Sequence, residues 1–396
     1  MTRNFCWRRN GKYIIAAMFW AAAGLEAQTT HTLGIRVTET AGIRRTAFPV
    51  NARVLLPQAV LRAADNARLM LNGKEVAAQY SAETRWPDGS VEWLDVDYNA
   101  SIGPDESVRY ELEYGEGVHA AEAPRGLSVA GEADAIQVGS IRFSRSGSPL
   151  MLSVKYRGEE IGRGLNGLFV TDEAGLRHDV SSAQLVETEV LKSGPLFAVI
   201  RYSGNIVIDS GYQVPFALKV EMPNSKTLVK ITAVVIDPAK RIRELAIETP
   251  LAFGALPWVW DFGTSRWTYG SLRAGTDSVT LTNTGNDWSV MTGTADKEQL
   301  YEKSGITSAG RVFWGHIQDA KEAVAFALES TPEQTGDWRV KIEGGGQISF
   351  RYVERTPVTQ HRMAVYEHFV TTPVQIGAAT SPSAILNPLT VAIEGR

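Results

Sequence analysis

Two stretches concentrate the side chains that could do chemistry. "ETPLAFGALPWVWDFGTSRWTYG" (248–270) carries Trp258, Trp260 and Trp267, with Glu248, Asp261, Arg266 and Tyr269 around them. Three indoles within ten residues, in a segment broken by Gly and Pro, suit a wall on which pyranose rings stack. The C–H face of a sugar packs on indole as other apolar groups do, and a nearby Asp or Arg can bond hydroxyls or carboxylates. These seven residues form the candidate substrate-binding set. The competing reading is that the indoles fold inward and cap one end of a sandwich.

The second stretch is "TPVTQHRMAVYEHF" (356–369). On an extended strand His361, Met363, Val365, Glu367 and Phe369 share one face, while Arg362, Tyr366 and His368 share the other. Eliminative cleavage of a uronic-acid glycoside needs a cation or amide for the carboxylate, a base for the adjacent proton and an acid for the leaving oxygen. His361 beside Arg362 supplies a base and a carboxylate binder, and with Tyr366 they form the candidate catalytic set. The alternative for each histidine is a hydrogen-bonded strand residue. His316 joins the set only if its strand adjoins this one. Hydrolysis would need paired carboxylates instead.

No metal site is expected. His361, Glu367 and His368 do not share a face, and no short-spaced ligand motif occurs. No cofactor is expected either. "EGGGQ" (343–347) lacks the lysine and following helix of a phosphate loop and reads as a hairpin tip.

The elements that must hold these residues are strands. "FALKVEM" (216–222), "VKITAVVI" (229–236), "AVAFALE" (323–329) and "ISFRYVE" (348–354) alternate apolar and polar residues, as half-buried antiparallel strands do. Turn residues separate them, as in "LNGKE", "PDGS" and "MPNSK". "DKEQLYEKSG" (296–305) is the best candidate for a short helix, with a glycine stop. In "ETRWPDGSVEWLDVDY" (83–98) Pro87, Asp88 and Gly89 make a tight hairpin turn. Val91 and Trp93 have the opposite parity to Val96 and Tyr98, which predicts a β-bulge between Trp93 and Val96. Trp86 and Trp93 are read as packing residues around this turn.

The chain has 396 residues, 44% of them hydrophobic, and a formal net charge of −4. That balance argues against nucleic acid or an anionic membrane as partner. Residues 1–27 read as a secretory signal, with Arg3, Arg8, Arg9 and Lys12 ahead of the apolar "YIIAAMFWAAAGL". A periplasmic or extracellular protein with no membrane span after processing is therefore expected. Cys6, the only cysteine, falls in that segment, so no disulfide or thiolate chemistry is expected of the processed chain. A shift toward Ala, Gly and Glu near 115–135 sets the expected division, a small barrel over 28–125 and a large antiparallel sandwich over 126–396.

"YSAETRWPDGSVEWLDVDY" (80–98), with "LNGKEVAAQY" before it, resembles the N-terminal domain of the exo-rhamnogalacturonan lyase family, also called YetA-like proteins. "ETEVLKSGPLFAVIRYSGNI" (187–206), "FALKVEMPNSKTLVKITAVVID" (216–237), "GRVFWGHIQDAKEAVAFALE" (310–329) and the 356–369 stretch resemble its central sandwich. The resemblance implies an all-β fold, with a small RIFT-type barrel followed by a mutarotase-like supersandwich. It also implies a polysaccharide or oligosaccharide partner, most simply a pectic one. A His–Glu pair is the working set of the mutarotases that this sandwich resembles. Full-length lyases of the family continue into an α/α toroid, so a separate partner chain is a candidate source of a helical domain. The leading expectation is a glycan-binding relative of the lyases. An active lyase, or another carbohydrate-modifying enzyme, and a structural envelope module are the alternatives.

Overall fold

A computed structural model describes residues 30–121, 126–145, 151–156, 159–162, 167–180, 186–223, 227–264, 268–294, 296–305, 312–331, 334–370 and 380–395. Residues 1–27, expected to form a signal segment, and Arg266 and Trp267 lie outside these residues. Among the described residues the protein is all-β, with one short helix, Thr380–Leu386. Among the described residues no helix is long and apolar enough to cross a membrane.

Two large antiparallel sheets form the sandwich. The nine-stranded sheet runs Val186–Lys192, Phe197–Asp209, Tyr212–Pro223, Leu228–Ile236, Gln360–Val370, Ala323–Glu329, Trp314–Gln318, Trp258–Phe262 and Thr268–Leu272. The eight-stranded sheet runs Arg177–Asp179, Gly167–Asp172, Ile242–Pro250, Gln347–Val353, Asp337–Glu343, Asp277–Thr284, Asp287–Thr294 and Lys297–Lys303. Alternation selects the inner face. Val220, Ile231 and Val365 stand in register across three strands, as do Leu218, Ala233 and Met363. All six are buried in one core shared with Phe326, Trp338 and Phe350. Burial of that apolar surface is the driving force that a two-sheet fold requires.

The N-terminal unit has its own core, which includes Ile35, Val54, Leu69, Leu94 and Leu112. A five-stranded sheet and a three-stranded sheet, Arg45–Leu55, Val91–Ile102 and Ala78–Arg85, enclose it. Strand Thr390–Glu394 pairs antiparallel with His31–Thr38, so the C-terminal segment returns to the N-terminal sheet. The 86–90 hairpin holds its turn as the residue types predict. The Gly89 amide donates to the Trp86 carbonyl at 2.9 Å, Gly89 takes a φ of +83°, and the Asp88 carboxylate accepts from the Ser90 amide and hydroxyl. The Trp86 indole donates to the Leu56 carbonyl at 3.0 Å, and the Arg53 guanidinium lies 4.4 Å over the Trp93 ring. The register shifts opposite residues 91–94 rather than between 93 and 96. Val91 is therefore buried on the same face as Leu94, Val96 and Tyr98.

The 296–305 stretch is not a helix. Residues 297–303 form the edge strand of the eight-stranded sheet, paired with Asp287–Thr294. Leu300 and Tyr301 are its only large apolar residues, too few for a buried helical stripe. Gly293 permits the pairing, because a Cβ there would meet the Lys297 carbonyl at 2.1 Å.

Two contacts position the units against each other. The Gln79 amide donates to the Phe197 carbonyl and accepts from the Leu196 and Phe197 amides at 2.9–3.0 Å. The Lys192 ammonium bridges Asp97 at 2.8 Å and Asp95 at 3.1 Å. Helix 380–386 packs against strands 323–329 and 314–318. The small outward residues Ala323, Ala325 and Ala327 give it room, and all three are buried. The Arg45 guanidinium donates to the Ala384 and Asn387 carbonyls at 2.6 Å each, and Glu39 pairs with it at 2.8 Å. Arg45 thus satisfies carbonyls that a helix C-terminus leaves open.

Candidate functional site

Strand 360–370 sorts the catalytic candidates onto opposite sides. His361 faces inward, fully buried, in register with Val235. Asp237 lies 3.6 Å from its Nε2 and Glu354 lies 3.5 Å from its Nδ1, and among the described residues neither ring nitrogen has a hydrogen-bond partner. Asp237 itself accepts from the Tyr212 hydroxyl and the Ile242 amide. His361 and Arg362 therefore do not form a base-plus-binder pair, because adjacent strand residues point to opposite faces.

Arg362 and Tyr366 face outward and do converge. Arg362 Nη2 donates to Glu329 Oε1 at 2.6 Å, and the Tyr366 hydroxyl donates to Glu329 Oε2 at 3.0 Å. Lys230 Nζ sits 2.7 Å from Glu329 Oε2 and 5.0 Å from the centre of the Tyr366 ring. Burial alone would raise the Glu329 carboxyl, but Lys230 and Arg362 outweigh it and hold the group at about 2. Burial would lower the Lys230 ammonium, yet Tyr366 and Glu329 raise it above its ordinary value. Burial raises the Tyr366 phenol. At neutral pH the cluster is thus two cations, one carboxylate and one neutral phenol, with no group poised to remove a proton. Arg362 Nη1 is buried and has no hydrogen-bond partner among the described residues.

The tryptophan wall does not form from the indoles that are described. Trp258 is 5% exposed and donates its indole N–H to the Gly254 carbonyl, and Trp260 is 1% exposed. Both belong to the sandwich core, because 258–262 is a strand with those positions on its inner face. Among the described residues of this segment, Tyr269 is an exposed aromatic, at 56%. Asp261 points outward but is buried, and it lies 2.8 Å from His316 Nδ1. Those two strands are direct neighbours, and Asp261 and His316 are in register. The His316 strand is separated from 360–370 by strand 323–329. Glu248 lies on the other sheet, where Arg177 pairs with it through both guanidinium nitrogens at 2.9–3.0 Å and Gln347 donates to it at 2.5 Å. That network occupies Glu248 within the sheet and separates it from the Arg362 cluster.

Lys230 and Glu329 are the members that sequence reasoning missed. Each is a polar position on the outward face of an alternating run, a signal shared by every solvated strand. Their meeting depends on the register Lys230↔Tyr366 and Glu329↔Ala364. Next to Lys230 and Tyr366 a cavity of about 190 Å³ opens between the nine-stranded sheet and the N-terminal unit. Phe48, Phe197, Leu228 and Ile385 are among its walls.

No family model matches the sequence, and no characterised protein sequence is significantly similar to it. The fold is similar to that of an α-mannosidase from Enterococcus faecalis V583, with a TM-score of 0.58 and 13% identity over 92% of this chain and 46% of that one. It is also similar to a glycosyl hydrolase family 38 protein from Enterococcus faecalis, with a TM-score of 0.57 and 12% identity over 92% of this chain and 48% of that one. The chain spans under half the length of these structures.

Proposed function

We propose that this protein binds an acidic polysaccharide on the outward face of its nine-stranded sheet. The observation that carries the reading is the convergence of Arg362, Lys230 and Tyr366 on Glu329. Arg362 and Lys230 share the single negative charge of Glu329, so the cluster keeps one net positive charge that matches a uronate carboxylate at Arg362, and the phenol and Glu329 match sugar hydroxyls. The likeness in fold to glycoside hydrolases supports a carbohydrate ligand. The sequence resemblance to rhamnogalacturonan lyases supports a pectic one, met outside the cytoplasm after removal of residues 1–27, with the N-terminal unit as a RIFT-type barrel. Binding is favoured over elimination because Tyr366 and Lys230 both hold their protons and Glu329 is a weak base.

Affinity electrophoresis on rhamnogalacturonan, homogalacturonan and a neutral galactan tests this. The acidic glycans are expected to retard the wild type, less so at high salt. Arg362→Ala is expected to weaken that retention by about tenfold, the value of one charge-assisted hydrogen bond. Unretarded migration on every glycan would end the reading. Unsaturated-product absorbance on incubation with these uronides would replace binding by elimination.

A further inference from the structure

We propose that the cavity between the two units takes an aryl group carried by the bound glycan. This rests on the binding reading above. Lys230 and Tyr366 belong both to the cavity wall and to the cluster on Glu329, so the two sites are continuous. The Arg362 guanidinium and the Tyr366 hydroxyl meet on the two oxygens of Glu329, so a uronate held at Arg362 lies beside the Tyr366 wall of the cavity.

Three observations define the occupant. The charged side chains at the wall are already matched within the protein, Asp97 by Lys192, Glu221 by Lys219 and Lys230 by Glu329. The interior therefore favours a neutral group. Phe48, Phe197, Leu228 and Ile385 make much of the rest of the wall apolar, and they come from both units. At about 190 Å³ the space exceeds the roughly 150 Å³ that accommodates benzene, whereas a methyl group would leave most of it unfilled. An aromatic ring also meets Phe48 and Phe197 edge or face on, an arrangement that aromatic pairs prefer.

Titration calorimetry with 4-nitrophenyl β-D-glucuronide, methyl β-D-glucuronide and 4-nitrophenol tests the proposal. The aryl glucuronide is expected to bind at least about tenfold more tightly than the methyl one, the order for removing a ring-sized apolar surface from water. Leu228→Trp fills the cavity from the sandwich side and Ile385→Trp from the helix. Whichever variant keeps the wild-type melting temperature should lose that preference while keeping its affinity for the methyl glucuronide. Equal affinity for the two glucuronides, or a preference that survives both substitutions, overturns the proposal. If 4-nitrophenol binds the wild type but neither variant, and no glucuronide binds, the aryl site stands and the polysaccharide reading falls. If none of the three binds, both fall.

Discussion

Replacing Glu367 with methionine is expected to stabilise the protein, and the gain should grow with pH. Glu367 faces the sandwich core from strand 360–370, fully buried, and among the described residues neither carboxylate oxygen has a hydrogen-bond partner. Burial raises the group from 4.5 to about 7. Below pH 4.5 the folded and unfolded chains both keep this proton, and ionisation does not affect stability. Between 4.5 and about 7 the unfolded chain releases it while the folded chain holds it, so wild-type stability falls as pH rises. Above 7 the folded chain carries the full penalty of a buried carboxylate. The interval corresponds to roughly 3 kcal/mol. Urea denaturation of wild type and Glu367→Met at pH 4.5 and pH 8 should therefore give stability gains that differ by about that amount. A pH-independent gain would show that Glu367 ionises as freely inside the sandwich as outside it.

Trp260→Ala is expected to cost roughly 3–5 kcal/mol of stability, the range for truncating a fully buried aromatic side chain. The Trp260 ring packs 5.4 Å from Phe262 and 5.5 Å from Tyr301, and Gly270 passes so close that a Cβ there would lie 2.4 Å from the indole. Glycan affinity, measured on the folded fraction, should be unchanged. If Trp260→Ala instead melts normally and loses glycan retention, the indole serves as a sugar platform and the core assignment is wrong. Together with Arg362→Ala, this variant separates a residue that holds the sheet from one that faces the ligand.

Much of the fold was legible because period-two alternation reports directly which side of a strand is buried. Phe216, Leu218, Val220 and Met222 behave as that pattern requires. The 296–305 stretch misled for a physical reason. Lys, Glu, Gln and Leu are good helix formers, and edge pairing overrode that preference. The tryptophan segment misled because Gly and Pro suggested a loop, where the chain in fact forms strand 258–262 and turns its indoles inward. The candidate site was half legible. Parity alone places Arg362 with Tyr366 and puts His361 on the opposite face. Their partners Lys230 and Glu329 come from strands about a hundred residues apart, and only the sheet's order brings them together. No local pattern encodes such an order.

The pairing of 390–394 with 31–38 has a consequence for biosynthesis. On the ribosome, strand 31–38 emerges early and its partner only after the whole sandwich has been translated. Until then one margin of the first sheet has unsatisfied amides and carbonyls, the kind of template on which nascent chains stick to one another. Domains commonly mature in the order they are made. Here the first-made unit is completed after the second, so a chaperone would matter most during that interval.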